Sequence, residues 1–175
     1  NGVLFNSNRN GQWEWFDDSD KKKDGKYIGE IKNGLPNGQG TQTWNDPYEM
    51  YEGKWKNGKR NGYGKSVWSE PHQEHEGEYK NNEKNGFGTE IYENGSKYVG
   101  NFTNHERHGQ GTYYYNNGDK YVGEWKASNV HGKGSWYLNN GNKWVGEMRN
   151  NKDWNTTGYD KNGNIIGRVV NGVDQ

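Results

Sequence analysis

Cysteine is absent from the 175 residues, which excludes disulfide staples and thiol catalysis and leaves the redox compartment open. Proline occurs only 3 times. Hydrophobic residues make up 26 %, against roughly 45–50 % in an average globular chain, and the mean hydropathy is −1.53. No apolar run approaches the roughly 20 residues of a membrane-spanning helix. No signal peptide is visible. The first residue is Asn1 rather than Met, which leaves room for a removed leader, so localisation stays unassigned. An excess of one charge is also missing, with 23 basic against 23 acidic residues. Electrostatic capture of nucleic acid is therefore not expected, and anionic membrane is a weak partner unless the charges segregate in space.

Low hydropathy alone suggests disorder, but the residues in abundance argue against it: 28 Gly, 9 Trp, 13 Tyr and 4 Phe. They recur with a fixed period, and self-similarity of that kind is the signature of a repeat architecture. An opening ring falls at Tyr27, Tyr51, His75, Tyr98, Tyr121 and Trp144. Two residues later stands Gly29, Gly53, Gly77, Gly100, Gly123 or Gly146. Four residues after the ring comes Ile31, Trp55, Tyr79, Phe102, Trp125 or Met148. A Gly-x-Gly follows, from Gly38/Gly40 to Gly132/Gly134, and after it a terminal large residue: Trp44, Trp68, Tyr92, Tyr115 or Leu138. Each unit reads as a hairpin. Tyr-x-Gly-x-Trp alternates with the period of two of a half-buried strand, and Asn-Gly, which occurs 12 times, is a strong short-range turn signal. In-strand glycines mark close approach and leave hollows for a neighbouring ring. The expectation is all-β: an elongated, single-layer, twisted antiparallel sheet of tandem hairpins.

These units resemble the MORN family, whose repeats look like Tyr-x-Gly-Glu-Trp-x-x-Gly-x-x-x-Gly-x-Gly-x-x-x-Tyr. Tyr121-Val122-Gly123-Glu124-Trp125 matches the opening, and Tyr51 to Gly64 matches nearly throughout. The resemblance implies the twisted sheet, and roles in protein binding, scaffolding and membrane association. The expected organisation is a divergent N-terminal hairpin cap over 1–26, repeats over 27–150 and a capping hairpin over 151–175. Val3-Leu4-Phe5 and Gln12 to Phe16 form the first cap, and Asp17 to Gly25 is a charged turn. In the sixth unit Asn155 and Thr157 stand where Gly-x-Gly belongs, as a terminal repeat that closes an array should.

Chemistry-bearing groupings are weak. Asp17, Asp18, Asp20 and Asp24 lack the spacing of a calcium loop and are interrupted by Lys21 to Lys23. His105 and His108 fall in a turn without the spacing of helical zinc sites. Among the glutamates after the first glycines, Glu30, Glu78, Glu124 and Glu147, the adjacent Glu124 and Glu147 lie about one repeat apart, roughly 10 Å, beyond the separation inverting glycosidases use. They read as solvated strand residues. No metal, cofactor or catalytic constellation is expected. The first functional expectation is a non-catalytic scaffold that binds an extended peptide or amphipathic helix along the sheet. Its contacts would come from the rims of Trp55, Trp68, Tyr92, Tyr115 and Trp125. A lipid-headgroup alternative rests on Lys54, Lys56, Lys59, Arg60, Lys65 and Lys80, diluted by Glu52, Glu70, Glu74, Glu76 and Glu78. A glycan alternative rests on Trp68, Tyr113, Tyr115, Trp136 and Tyr137 among Asn and Asp. An accessory module of an enzyme and a homo-oligomer also stay open.

Overall fold

The computed structural model describes residues 1–9, 12–17, 25–45 and 48–175. Among these there are sixteen strands and no helix. They are β1 (Gly2–Arg9), β2 (Gln12–Phe16), β3 (Gly25–Lys32), β4 (Leu35–Asn45), β5 (Tyr48–Lys56), β6 (Lys59–Ser69), β7 (His72–Lys80) and β8 (Glu83–Tyr92), followed by β9 (Lys97–Thr103), β10 (Glu106–Tyr114), β11 (Lys120–Lys126), β12 (Asn129–Tyr137), β13 (Lys143–Arg149), β14 (Lys152–Tyr159), β15 (Ile165–Val170) and β16 (Val173–Asp174). They belong to one open antiparallel sheet in which neighbours follow chain order from β3 to β16. The chain divides into two compact units, 1–86 and 87–175.

β1 and β2 pair as an antiparallel hairpin, with Phe5 opposite Phe16. It is inserted the other way round from a simple meander: β1, not β2, pairs with β3, with Leu4 opposite Tyr27. That order buries Leu4 beside the first opening ring and leaves β2 to reach over with Trp15, which meets both Tyr27 and Trp55 edge-on at 5.9 Å. Of the charged stretch read as a turn, Asp17 is exposed and Gly25 opens β3, while 18–24 lie outside the described residues.

The first turn of each unit is two residues long with both residues at positive φ, as in Asn57 (50°) and Gly58 (77°). This geometry matches the right-handed strand twist and is why Asn-Gly serves. Ala127 (48°) and Ser128 (62°) adopt it too, although a Cβ-bearing alanine gains nothing there to offset the steric cost.

The core is a layer of rings on one face, here called the ring face. The two in-strand glycines of a unit lie opposite each other: Gly29 with Gly40, Gly53 with Gly64, Gly123 with Gly134. The opening tyrosine lies flat across that bare pair. Tyr27, Tyr51, Tyr98 and Tyr121 are fully buried, and a Cβ at Gly40, Gly64, Gly111 or Gly134 would collide with the ring or hydroxyl. Each hydroxyl donates to the carbonyl three residues on: Tyr27 to Glu30 at 2.8 Å, Tyr51 to Lys54 at 3.0 Å, Tyr98 to Asn101 at 3.0 Å and Tyr121 to Glu124 at 3.2 Å. A buried phenol is thereby satisfied, which removes the desolvation penalty it would otherwise carry. The ring four residues on fits edge-to-face between successive opening rings. Trp55 meets Tyr27 at 5.3 Å and Tyr51 at 5.1 Å, and Trp125 meets Tyr98 at 5.3 Å and Tyr121 at 5.4 Å. Each such pair contributes about 0.5–1.5 kcal/mol beyond area burial, and this zigzag does the work that a second layer does in thicker folds.

The register slips once per unit, between Gly29 and Ile31 and at the equivalent places in β5/β6 and β11/β12. Such a bulge strands a backbone amide. Glu30 accepts the Gln39 N–H at 2.8 Å and Glu124 the Lys133 N–H at 3.1 Å. Those glutamates are thus bulge caps rather than merely solvated side chains.

Candidate binding surface

Strand alternation puts Trp44, Trp68 and Tyr92 on the ring face; Tyr115 packs there just past the end of β10, and Leu138 follows β12. Beside them stand the residues two earlier, Gln42, Ser66, Glu90, Tyr113 and Trp136. This second column differs between the units. Gln42 and Ser66 are polar and buried in the first unit. In the second unit, Tyr113 and Trp136 are half-buried rings, and with Tyr92 and Tyr115 they pack against the core. They form a continuous row: Tyr92 stacks on Tyr113 at 5.7 Å, Tyr113 meets Tyr115 at 4.5 Å, and Tyr115 meets Trp136 at 5.6 Å. The tyrosine edge of this row is held neutral. Burial, then the neighbouring Glu90 carboxylate to which Tyr92 donates at 2.6 Å, pushes the Tyr92 phenol far up. Burial likewise raises Tyr115.

A cation stands over the row. The Arg107 guanidinium lies 4.6 Å from the Trp125 ring centre, 5.1 Å from Tyr113 and 5.8 Å from Tyr98, within cation–π range, and it donates to the Ser128 carbonyl at 2.8 Å. The same column carries Arg60 in the first unit, over Tyr51 and Tyr79 and bonded to Glu49 at 3.0 Å, and Lys84 over Trp68 at 5.3 Å. Sequence reasoning singled out neither Arg107 nor Lys84. Their column lies nine residues after the opening ring and also holds Pro36 and Val130, so it shows no residue-type regularity.

Of the five rings expected to contact a partner, Trp68, Tyr92 and Tyr115 are half-buried and present part of their surface. Trp55 and Trp125 are 5 % and 4 % exposed, with their indole N–H groups bonded to the carbonyls of Gly40 at 3.1 Å and Gly111 at 3.2 Å. They offer a rim only.

The basic group splits. Lys54, Lys56, Lys59, Lys65 and Lys80 lie on the face opposite the rings, and Arg60 on the ring face, opposite Trp55. Lys65 is paired with Glu74 at 2.7 Å. The hydrogen bond to Glu74 raises the lysine's pKa, and the same bond lowers that of the glutamate. Glu52, Glu74, Glu76 and Glu78 share that face with the lysines.

His108 is exposed and His105 sits in a positive-φ turn. Among the described residues no three His, Cys, Asp or Glu side chains gather as a metal site. A shallow depression of about 490 Å³ in the first unit is lined by Glu30, Asn37, Gln39, Lys54 and Lys56 among others. It holds no nucleophile–base pair.

The family model for the MORN repeat matches residues 27–46, 51–70, 75–97, 98–120 and 121–143. No curated protein matches the chain.

Proposed function

Because this chain belongs to the MORN repeat family, whose members are interaction modules for proteins and membranes, we propose that it is a non-catalytic module that binds a protein segment along the ring face. The observation that carries this reading is the row Tyr92–Tyr113–Tyr115–Trp136, half-buried and continuous on an open sheet. Rigid rings already ordered by the core give contact area at little entropic cost, which is why aromatics dominate binding hot spots. A row crossing strands suits an extended peptide or one face of an amphipathic helix. Arg107 beside the rings adds a preference for a carboxylate in that segment. In the first unit, Trp68 is a separate half-buried ring that presents part of its surface. Trp55 and Trp125 act mainly by holding the neighbouring rings.

The test is capture of binding partners by the wild-type chain and by Tyr115→Ala and Trp68→Ala, each first shown by circular dichroism and thermal melting to be folded. The expected result is loss of at least one partner on Tyr115→Ala. Folded variants that keep every partner would refute the ring face as the site.

A further inference from the structure

On the opposite face of the second unit, lysine and tyrosine alternate strand by strand. Lys97 stands opposite Tyr114, Tyr114 opposite Lys120, Lys120 opposite Tyr137, Tyr137 opposite Lys143, and Lys143 opposite Tyr159. Each ammonium lies over a ring: Lys97 5.0 Å from the centre of Tyr114, Lys120 4.8 Å from Tyr137, and Lys143 5.4 Å from Tyr159. None of the three lysines has an acidic partner among the described ion pairs. Tyr114 and Tyr137 remain 42 % and 40 % exposed. Alongside, Val122 and Val145, which flank Ser135, are each 39 % exposed. The first unit has nothing like it: the same positions hold Lys26, Thr43, Met50, Val67 and Glu74.

We propose that this ladder is a second binding surface, for an acidic, proline-rich peptide in the polyproline II conformation lying across β10, β12 and β14. The pitches of the ladder and of such a peptide match. Successive tyrosines sit two strands apart, about 9.6 Å. A polyproline II chain turns once in three residues of about 3.1 Å each, so the same edge returns about every 9.3 Å. Its proline rings meet the tyrosine faces in register, as they do in aromatic-lined grooves, and a carboxylate at every third residue falls beside each unpaired lysine. A conformation preset by proline loses little entropy on binding a flat surface. The surface is on the other side of the sheet from the ring row and stands independently of it.

The probe is a synthetic peptide of about five Pro-Pro-Glu triplets, titrated into the full chain and followed by calorimetry and amide chemical shifts. Controls are Gly-Ser-Glu triplets of equal charge and Pro-Pro-Lys triplets. The expected outcome is saturable binding of the first peptide. The flexible acidic peptide should bind about ten-fold more weakly, since it must lose more chain entropy on ordering, and the basic one not at all. Lys120→Glu should weaken binding about ten-fold, since it removes one attraction worth up to about five-fold and adds a repulsion. Tyr137→Ala should weaken it at least five-fold, and Tyr115→Ala should leave it unchanged. Lys120→Glu, at a half-exposed side chain, keeps the test decisive whatever Tyr137→Ala does to folding. The proposal is overturned by no binding, by equal affinity for the flexible acidic peptide, or by indifference to Lys120→Glu. Sensitivity to Tyr115→Ala instead of Tyr137→Ala would move the site to the ring face. Lys120-dependent capture by phosphatidylserine vesicles, without a preference for the proline peptide, would give the surface to a membrane.

Discussion

Replacing Gly134 by alanine tests the packing principle directly. A Cβ there would sit 2.5 Å from Cζ and 2.7 Å from Cε2 of Tyr121, and closer still to its hydroxyl. Relief requires the ring to lift. Lifting breaks the hydrogen bond to Glu124, worth about 1 kcal/mol. It also loosens the contacts with Trp125 at 5.4 Å and Trp136 at 5.0 Å, each about 0.5–1.5 kcal/mol. Against this, alanine lowers the entropy of the unfolded chain by about 0.4–1 kcal/mol. The balance is a loss of about 2–3 kcal/mol, a large part of the stability of an ordinary domain. Urea unfolding should show a lower midpoint with the slope unchanged. Tyr121→Phe removes the nearest atom, so in that background the cost of Gly134→Ala should fall by about 1 kcal/mol, a coupling that a double-mutant cycle reads. The control is Gly95→Asn, at a turn glycine with φ of 81° and nothing within 4 Å of an added Cβ. Asparagine tolerates that conformation, so its effect should stay within about 0.5 kcal/mol. If Gly134→Ala matched Gly95→Asn, the ring-on-glycine account of this sheet would be wrong.

Three other outcomes follow from the same geometry. Ala127→Asn with Ser128→Asn installs the residues that Asn150-Asn151 and Asn81-Asn82 use at equivalent turns. It keeps an acceptor for the Arg107 N–H, as Asn82 serves Arg60 at 2.8 Å and Asn151 serves Val130 at 2.7 Å. The melting temperature should rise by about 2–4 °C, corresponding to about 1 kcal/mol for a chain of this size. Glu124→Ala strands the bulge amide of Lys133 and should cost about 1 kcal/mol. Glu124→Gln retains an acceptor and Glu52→Ala touches no bulge, so both should unfold in urea close to the wild type. Alkaline pH should unfold the chain. Burial pushes the Tyr27 and Tyr121 phenols from 10.0 up to about 12, and Tyr51 and Tyr98 rise as well. The folded form therefore holds protons that the unfolded form releases first, so stability is full below pH 10 and is lost as pH climbs towards 12. The phenolate absorbance of the buried tyrosines should appear together with the loss of the circular dichroism signal, and ionisation of all tyrosines near pH 10 with the sheet intact would contradict it.

The repeat register, the strand pairs and the ring layer were legible in the sequence because they depend on residue type at fixed spacing. Large rings and glycines recur every 23 or 24 positions, and the paired glycines sit where an added Cβ would collide with a ring. The order of β1 and β2 was not legible. It turns on whether Leu4 or a residue of β2 lies beside Tyr27, and both segments have the same alternation. The role of Glu30 and Glu124 was hidden for another reason: a period-two reading assumes an unbroken register, and the bulge they cap is a break in it. Arg107 escaped because its column mixes Pro36, Arg60, Lys84, Arg107, Val130 and Asp153. What unites Arg60, Lys84 and Arg107 is a place over the rings, which appears only when the hairpins are laid side by side. Tyr113 and Trp136 stood out as aromatics, but their company with Tyr92 and Tyr115 is a property of neighbouring strands.

A single-layer sheet constrains where binding specificity can reside. The opening ring, the paired glycines and the ring four residues on are consumed by folding: the four opening tyrosines expose nothing, and the glycines they cover have no side chain to offer. Specificity must therefore come from columns that vary among repeats of the same chain. Two columns change together after β8, within the second unit. On the ring face, polar Gln42, Ser66 and Glu90 give way to Tyr113 and Trp136. On the other face, Met50 and Glu74 give way to Lys97, Lys120 and Lys143, and Thr43, Val67 and Ile91 to Tyr114 and Tyr137. Neither change is needed to build the hairpin, because the first unit folds the same repeat without it. Rings that the fold does not require, placed half-exposed on both sides of a thin sheet, cost solubility. Such a cost is retained where the surface has something to bind, which is why the second unit, rather than the better consensus match at Tyr51 to Gly64, is the part of the chain to probe first.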